Sequence, residues 1–240
     1  MVIFLIAFVL LLVIGVPISI SIGASAVLGC LSLGYPLVVI GQKMVSGIDS
    51  FLLIAVPLFI LAGNLMNAGK ITEKIFDTAK ELVGWIPGGL GHANVVASII
   101  FAGMSGSAVA DAGGLGAIEM EAMKKNGYDE DFAGAVTAAS SVIGPIFPPS
   151  IPLIIYGSVA SVSVDQLFMG GVVPGLLMGV LLMVMVLYFA IVRRYERHPF
   201  RLRALIRQFL GSIPALITPV IILCGFVVGW FTPTEASSIA

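Results

Sequence analysis

Between Gly144 and Pro152 the chain reads Gly-Pro-Ile-Phe-Pro-Pro-Ser-Ile-Pro, four prolines in eight residues, inside an apolar run from Phe132 to Val159. Each proline removes a backbone donor and clashes with the carbonyl one turn earlier, so no continuous helix passes through this stretch. Composition tightens the constraint. Apolar residues make up 59% of the chain and charged residues only 10%, against about 25% charged in an ordinary soluble domain. A chain of this kind is solvated by lipid, where irregular backbone survives only when buried in protein or lining a polar cavity. The expectation is an all-α membrane protein with a broken helix over residues 132–159. Its 240 residues are counted in spans of about 20 residues each.

A second segment is equally unusual. Asp111 sits in Gly103-Met-Ser-Gly-Ser-Ala-Val-Ala-Asp-Ala-Gly-Gly-Leu-Gly116, directly after the apolar run Val95 to Ala102. A carboxylate at bilayer depth costs roughly 2.5 to 3.5 kcal/mol on insertion scales and is usually retained for an ion, a proton or a substrate. The structural alternative is that Asp111 caps the helix that follows by bonding backbone amides. His92 to Met104 is 13 residues, about 20 Å of helix against a hydrocarbon core of roughly 30 Å. The return leg from Asp111 to Met123 is as short, so residues 92–123 read as a re-entrant hairpin with its tip at Ser105 to Ala110. Two full spans are the alternative.

Elsewhere the pattern gives spans and surface helices. Met1 to about Ser32 reads as one retained span: Ala24-Ser-Ala26 resembles a signal-peptidase site, but no Lys or Arg precedes it and the apolar stretch exceeds a signal-peptide core. Ser50 to Leu65 is the next, with Pro57 inside it. Residues 71–86 carry Ile71, Ile75, Phe76, Ala79, Leu82, Val83 and Ile86 at helical spacing with Glu73, Lys74, Asp77, Lys80 and Glu81 opposite, the pattern of a helix lying on the membrane surface. Residues 201–213 repeat it. Ser163-Val-Asp-Gln166 fits a capping box opening a span from Leu167 to Val192, in which Gly171, Gly175 and Gly179 read as a helix-packing seam. Ile213 to Phe231 is the last full span. Thr232-Pro-Thr-Glu235 starts another helix five residues before the last residue given, which reads as the front part of a longer protein. Cys30 and Cys224 read as buried membrane-helix cysteines.

Charge supplies an internal check. The loops at 70–92, 124–131 and 193–208 hold Lys70, Lys74, Lys80, Lys124, Lys125, Arg193, Arg194, Arg197, Arg201, Arg203 and Arg207, eleven of the twelve basic residues. A hairpin that enters and leaves on one side puts all three loops on the same face, which the positive-inside rule makes cytoplasmic. Two full spans would give the same result. Basic residues gathered in loops, with a net charge of -1, leave no face that could track nucleic-acid phosphates.

The chemistry at the two breaks is that of a hard cation. The Ser-Gly-Ser tip offers hydroxyls, Asp111 a full charge, and Gly144 to Pro149 a run of carbonyls with few competing donors. Unwound backbone and half-helix ends of this kind are where secondary transporters hold their ions. An all-oxygen set suits Na+, and a proton on Asp111 is the rival. An intramembrane serine protease is a further reading, because Gly103-Met-Ser-Gly106 matches the rhomboid nucleophile sequence. Its serine needs a nearby histidine, and His92 and His198 are both poorly placed. A channel lacks a carbonyl filter motif here.

The Gly103–Gly116 segment, the Gly144–Ser150 break and Gly229-Trp-Phe-Thr-Pro-Thr-Glu-Ala-Ser237 together resemble the large membrane subunit, DctM type, of tripartite ATP-independent periplasmic (TRAP) transporters. The resemblance covers essentially the whole chain. It implies an elevator-type secondary transporter that imports an organic acid such as a C4-dicarboxylate or sialic acid, driven by sodium, in the bacterial or archaeal inner membrane. It also implies a small membrane subunit (DctQ type) and a periplasmic substrate-binding protein (DctP type) as partners, with no catalytic residues and no cofactor besides Na+. A stand-alone or proton-coupled elevator carrier is the alternative. Carried over by position, the first sodium site falls on Ser105 and Asp111 and on the carbonyls of Gly144, Phe147 and Pro149. Ser107, Pro148 and Ser150 are candidates for the substrate cavity. In family terms residues 1–91 are scaffold, 92–165 the moving unit and 166–240 further membrane helices. The chain reads as the first half of an inverted repeat, with the second hairpin and second sodium site outside it.

Overall fold

A computed structural model describes residues 2–195, 197, 199 and 202–239. Arg201 and His198, invoked above for charge bias and for the protease reading, lie outside them. The described residues form helices and turns, without strands, and divide into two compact units, Met1–Ser50 and Phe51–Ala240.

The first unit corrects the single span expected at 1–32. It holds two helices, α1 (Val2–Val13) and α2 (Ile18–Ser32), followed by α3 (Val38–Ile48). Gly15 turns the chain with a φ of +87°, a conformation that glycine reaches at no steric cost, and Pro17 precedes the new helix. Ser21, Ser25 and Gly29 recur every four residues as the buried stripe of α2, and a Cβ on Gly29 would stand 3.3 Å from Phe4. Small side chains let the two backbones approach, as in membrane helix pairs. Most large apolar side chains of this unit point outward, Val2 and Val13 at 68% and 79% exposure.

The second unit is built around α6 (Gly89–Ser105), which is buried along nearly its whole length. Packed on it are α4 (Ala55–Ala68), α5 (Ile71–Val83), α8 (Gly116–Lys125), α9 (Glu130–Ser141), α11 (Val164–Arg193) and α12 (Leu202–Val228). Phe101, Leu90, Met104, Leu115 and Ile143 fill this core. The amphipathic pattern at 71–86 does form a helix, but not one whose apolar face rests on lipid. Ile75, Phe76 and Ala79 of α5 are buried in protein against α6 and α12, and the Thr78 hydroxyl donates to Ser212 at 2.7 Å.

Among the described residues, two helices are long and apolar enough to cross a membrane, Phe51–Ala68 and Val164–Arg193, or three if the bent pair Leu202–Ile213 and Leu216–Phe226 counts as one. The last pair joins the expected surface helix and final span into α12, bent by 60° between Ile213 and Leu216. Pro57 falls in the first turn of α4, after a 3-10 turn at Phe51–Ile54, where its missing N–H interrupts little. Both caps read from the sequence are present: Ser163 accepts from the Gln166 N–H at 3.4 Å, and Thr232 and Glu235 cap each other at the start of α13 (Pro233–Ile239). Cys30 is half-buried and Cys224 exposed, not both buried as expected.

Candidate functional site

Helix α6 ends at Ser105, and Gly106 reverses the chain with a φ of +60°. Ser107 then starts the return arm: its Oγ accepts from the Ala110 N–H at 3.3 Å, capping the short α7 (Ala108–Ala110). Asp111 opens a π-helical turn, Asp111–Leu115, before α8 continues to Lys125. Such turns rotate the side chains of one helix out of register and recur at functional positions. Asn94 of α6 lies 4.0 Å from the Met123 sulfur of α8, so the two arms run antiparallel as a helical hairpin. The first arm is 17 residues, longer than the 13 expected, because its first turn is built from Gly89 to Gly91.

The broken helix has α9 as its first half and α10 (Ile151–Ala160) as its second. Between them Gly144 to Pro149 is non-helical, with a cis bond between Pro148 and Pro149. Ser150 starts α10, accepting from the Leu153 N–H at 3.2 Å and donating to the Pro145 carbonyl at 2.5 Å.

Tip and break touch. The Ile151 N–H donates to the Gly106 carbonyl at 3.3 Å, a Cβ on Gly106 would stand 2.4 Å from the Pro149 oxygen, and one on Gly144 would stand 3.3 Å from the Ser107 carbonyl carbon. At Gly106 only glycine permits the approach, and at Gly144 a side chain would be tight. Behind the break, the seam Gly171-Gly175-Gly179 of α11 does what its spacing suggests: added Cβ atoms would meet the Ile146 oxygen at 2.3 Å, Phe147 at 3.0 Å and Ile99 at 2.5 Å.

Of the five residues expected to hold the cation, all lie at this junction and all are buried: Ser105, Asp111, Gly144, Phe147 and Pro149. No hydrogen bond among the described residues falls on the carbonyls of Gly144, Phe147 or Pro149. Among the cavity candidates, Ser107 is half-exposed while Pro148 and Ser150 are buried.

Asp111 is 1% exposed, and neither carboxylate oxygen has a hydrogen-bond partner. The capping alternative therefore fails; Ser107 caps the return arm. Ser98 and Ser141 face the carboxylate, but their protons go elsewhere, Ser98 to Ser140 at 3.1 Å and Ser141 to the Thr137 carbonyl at 2.7 Å. A buried, unpaired carboxylate with hydroxyl oxygens facing it has the chemistry to attract a small hard cation.

Further polar groups sit deeper. Asn94 donates to Thr137 at 2.7 Å, Ser140 donates to Asn94 at 2.7 Å, and Glu119 is fully buried with both oxygens unpartnered. Asn67 of α4 packs over the π turn, where a Cβ on Gly114 would stand 2.2 Å from its amide. Sequence reasoning passed over these residues, although Asn94 and Ser98, and Thr137 and Ser141, each recur at four-residue spacing within apolar helices. The protease reading finds no support: His92 and Ser105 stand on one helix 13 residues apart, about 20 Å.

A buried helical hairpin packed against a proline-broken helix, with long apolar helices and many large apolar side chains facing outward, is the architecture of an α-helical membrane protein. Residues 5–240 match the family model for the tripartite ATP-independent periplasmic transporter, DctM component, and the chain belongs to that family. It is 50% identical over 200 residues to the sialic acid TRAP transporter large permease protein SiaM of Vibrio cholerae, covering 83% of this chain and 47% of that protein. It is 42% identical over 203 residues to the 2,3-diketo-L-gulonate TRAP transporter large permease protein YiaN of Escherichia coli, covering 84% and 48%. It is 37% identical over 233 residues to the C4-dicarboxylate TRAP transporter large permease protein DctM of Vibrio cholerae, covering 96% and 51%. The chain spans about half the length of these relatives.

Proposed function

We propose that this chain is part of the large permease of a sodium-driven TRAP transporter that imports an organic acid across the inner membrane. The small membrane subunit packs beside it and a periplasmic binding protein delivers the solute. The observation that carries this reading is the buried, unpartnered Asp111 carboxylate at a glycine tip pressed against a proline break. In this reading Na+ is held by Ser105, Asp111 and the carbonyls of Gly144, Phe147 and Pro149, and its binding ties the hairpin to the broken helix. Residues 92–123 enter and leave the bilayer on the cytoplasmic side as a re-entrant hairpin. Together with the broken helix they move as one body against a scaffold, in elevator fashion, and form the first half of an inverted repeat. Relatives named for sialic acid, diketogulonate and C4-dicarboxylates support an acidic solute without choosing among them.

The test is sodium dependence in the complete transporter. Hydrogen bonds and contacts to a charged group carry about 1.5 to 3 kcal/mol against about 1 for a neutral one. Asp111→Asn should therefore raise the Na+ concentration for half-maximal uptake about ten-fold or more, and Ser105→Ala by about three- to five-fold. An Asp111→Asn transporter with an unaltered Na+ requirement would remove Asp111 from the coordination shell.

A further inference from the structure

The arm that carries Asp111 holds a second buried carboxylate. Glu119 is 0% exposed and both its oxygens lack a hydrogen-bond partner. The ion pairs of the described residues lie elsewhere, at Lys124–Glu130, Lys125–Glu121 and Arg193–Asp129.

What surrounds Glu119 follows from helix register. On α8, residues 116, 119 and 123 share one face. Thr137 covers Gly116, where a Cβ would stand 2.6 Å from its methyl group, and Asn94 reaches Met123. Glu119 lies between these two points on the same face of α8, level by register with the Asn94–Thr137 pair, which is joined at 2.7 Å, although its oxygens are hydrogen-bonded to neither. Asp111 sits nearer the tip and faces Ser98 and Ser141. The two sets are related by one helical turn on each supporting helix, from 98 back to 94 on α6 and from 141 back to 137 on α9. Ser140 joins them, accepting from Ser98 and donating to Asn94. By register the hairpin interior therefore holds two carboxylates at successive levels, Asp111 level with Ser98 and Ser141 and Glu119 level with Asn94 and Thr137.

Burial is what chiefly disfavours a charge on Glu119, and the Asp111 charge adds to it. His92, the other buried ionisable group of α6, lies by the Pro87 carbonyl. An uncompensated carboxylate in this setting costs several kcal/mol, which a bound counter-charge offsets. We propose that Glu119, Asn94 and Thr137 form a second monovalent-cation position, one level inward from Asp111, which takes up a single positive charge as Na+ or as a proton. It stands on the burial of Glu119 and does not require that the tip site be the sodium site.

The test counts positive charge bound by the purified full-length transporter that contains this chain, using radioactive sodium at equilibrium and proton uptake after a jump from about pH 9 to about pH 6, an interval over which exposed carboxylates stay ionised. Glu119→Gln should bind one monocation fewer than wild type. A lost Na+ identifies sodium as the occupant, and a lost proton at unchanged Na+ count identifies the proton. Asp111→Asn should lose a separate charge, so failure of the tip reading is visible independently. Glu121→Gln, at an exposed residue paired with Lys125, should leave both counts unchanged. Should Glu119→Gln fail to fold, Thr137→Val removes one oxygen at constant shape and should weaken the same binding step about ten-fold. A folded Glu119→Gln protein with wild-type Na+ and proton counts, or a Thr137→Val protein with wild-type affinities, overturns the proposal.

Discussion

Gly106 carries two demands that no other residue meets together. Its φ of +60° disfavours any Cβ by roughly 1 to 2 kcal/mol, and the Pro149 oxygen would lie 2.4 Å from that Cβ. Gly106→Ala should therefore lower stability by about 1 to 3 kcal/mol and weaken sodium affinity, since tip and break are forced apart; thermal unfolding with and without Na+ reads both effects. Residue-level chemistry was unevenly legible. Asp111 stood out because a lone carboxylate in a glycine-rich apolar stretch has few ordinary uses. Glu119 did not, because in the sequence it sits two residues before Glu121 and five before Lys124, and looks like the start of a solvated helix end. Only packing distinguishes them: Glu119 is fully buried, while Glu121 pairs with Lys125 at 2.6 Å in the open.

Among elements, the broken helix and the hairpin were readable because proline and glycine act through local backbone sterics. The apolar run at 1–32 hid a hairpin, since lipid-facing composition is the same for one span as for two short helices, and only Gly15 and Pro17 mark the turn. Helix α5 was read correctly as amphipathic, but its apolar face is covered by protein, and periodicity does not say what covers a face. The seam on α11 gives a paired prediction. Gly170 opens on free space, whereas a Cβ on Gly171 would collide with the Ile146 carbonyl at 2.3 Å. Gly170→Ala should be neutral or stabilising by up to about 1 kcal/mol, and Gly171→Ala destabilising by about 1 to 3 kcal/mol. Equal effects in thermal unfolding would mean that α11 does not press on the break.

For the molecule as a whole, the proposed orientation and partners each make a prediction. Single cysteines at Lys74 and Lys125 should both be shielded from a membrane-impermeant thiol reagent in intact cells, and periplasmic labelling at Lys125 alone would contradict the re-entrant hairpin. Solute should be taken from the binding protein, so free substrate added to reconstituted membrane subunits should give little uptake. The central claim is that a buried carboxylate at the hairpin tip couples transport to sodium. Proteoliposomes containing the complete membrane transporter, supplied with loaded binding protein, measure it directly. An inward Na+ gradient without a pH difference should drive uptake, and an inward proton gradient without Na+ should not. Uptake that persists in the absence of Na+ and follows the pH gradient alone would contradict the account.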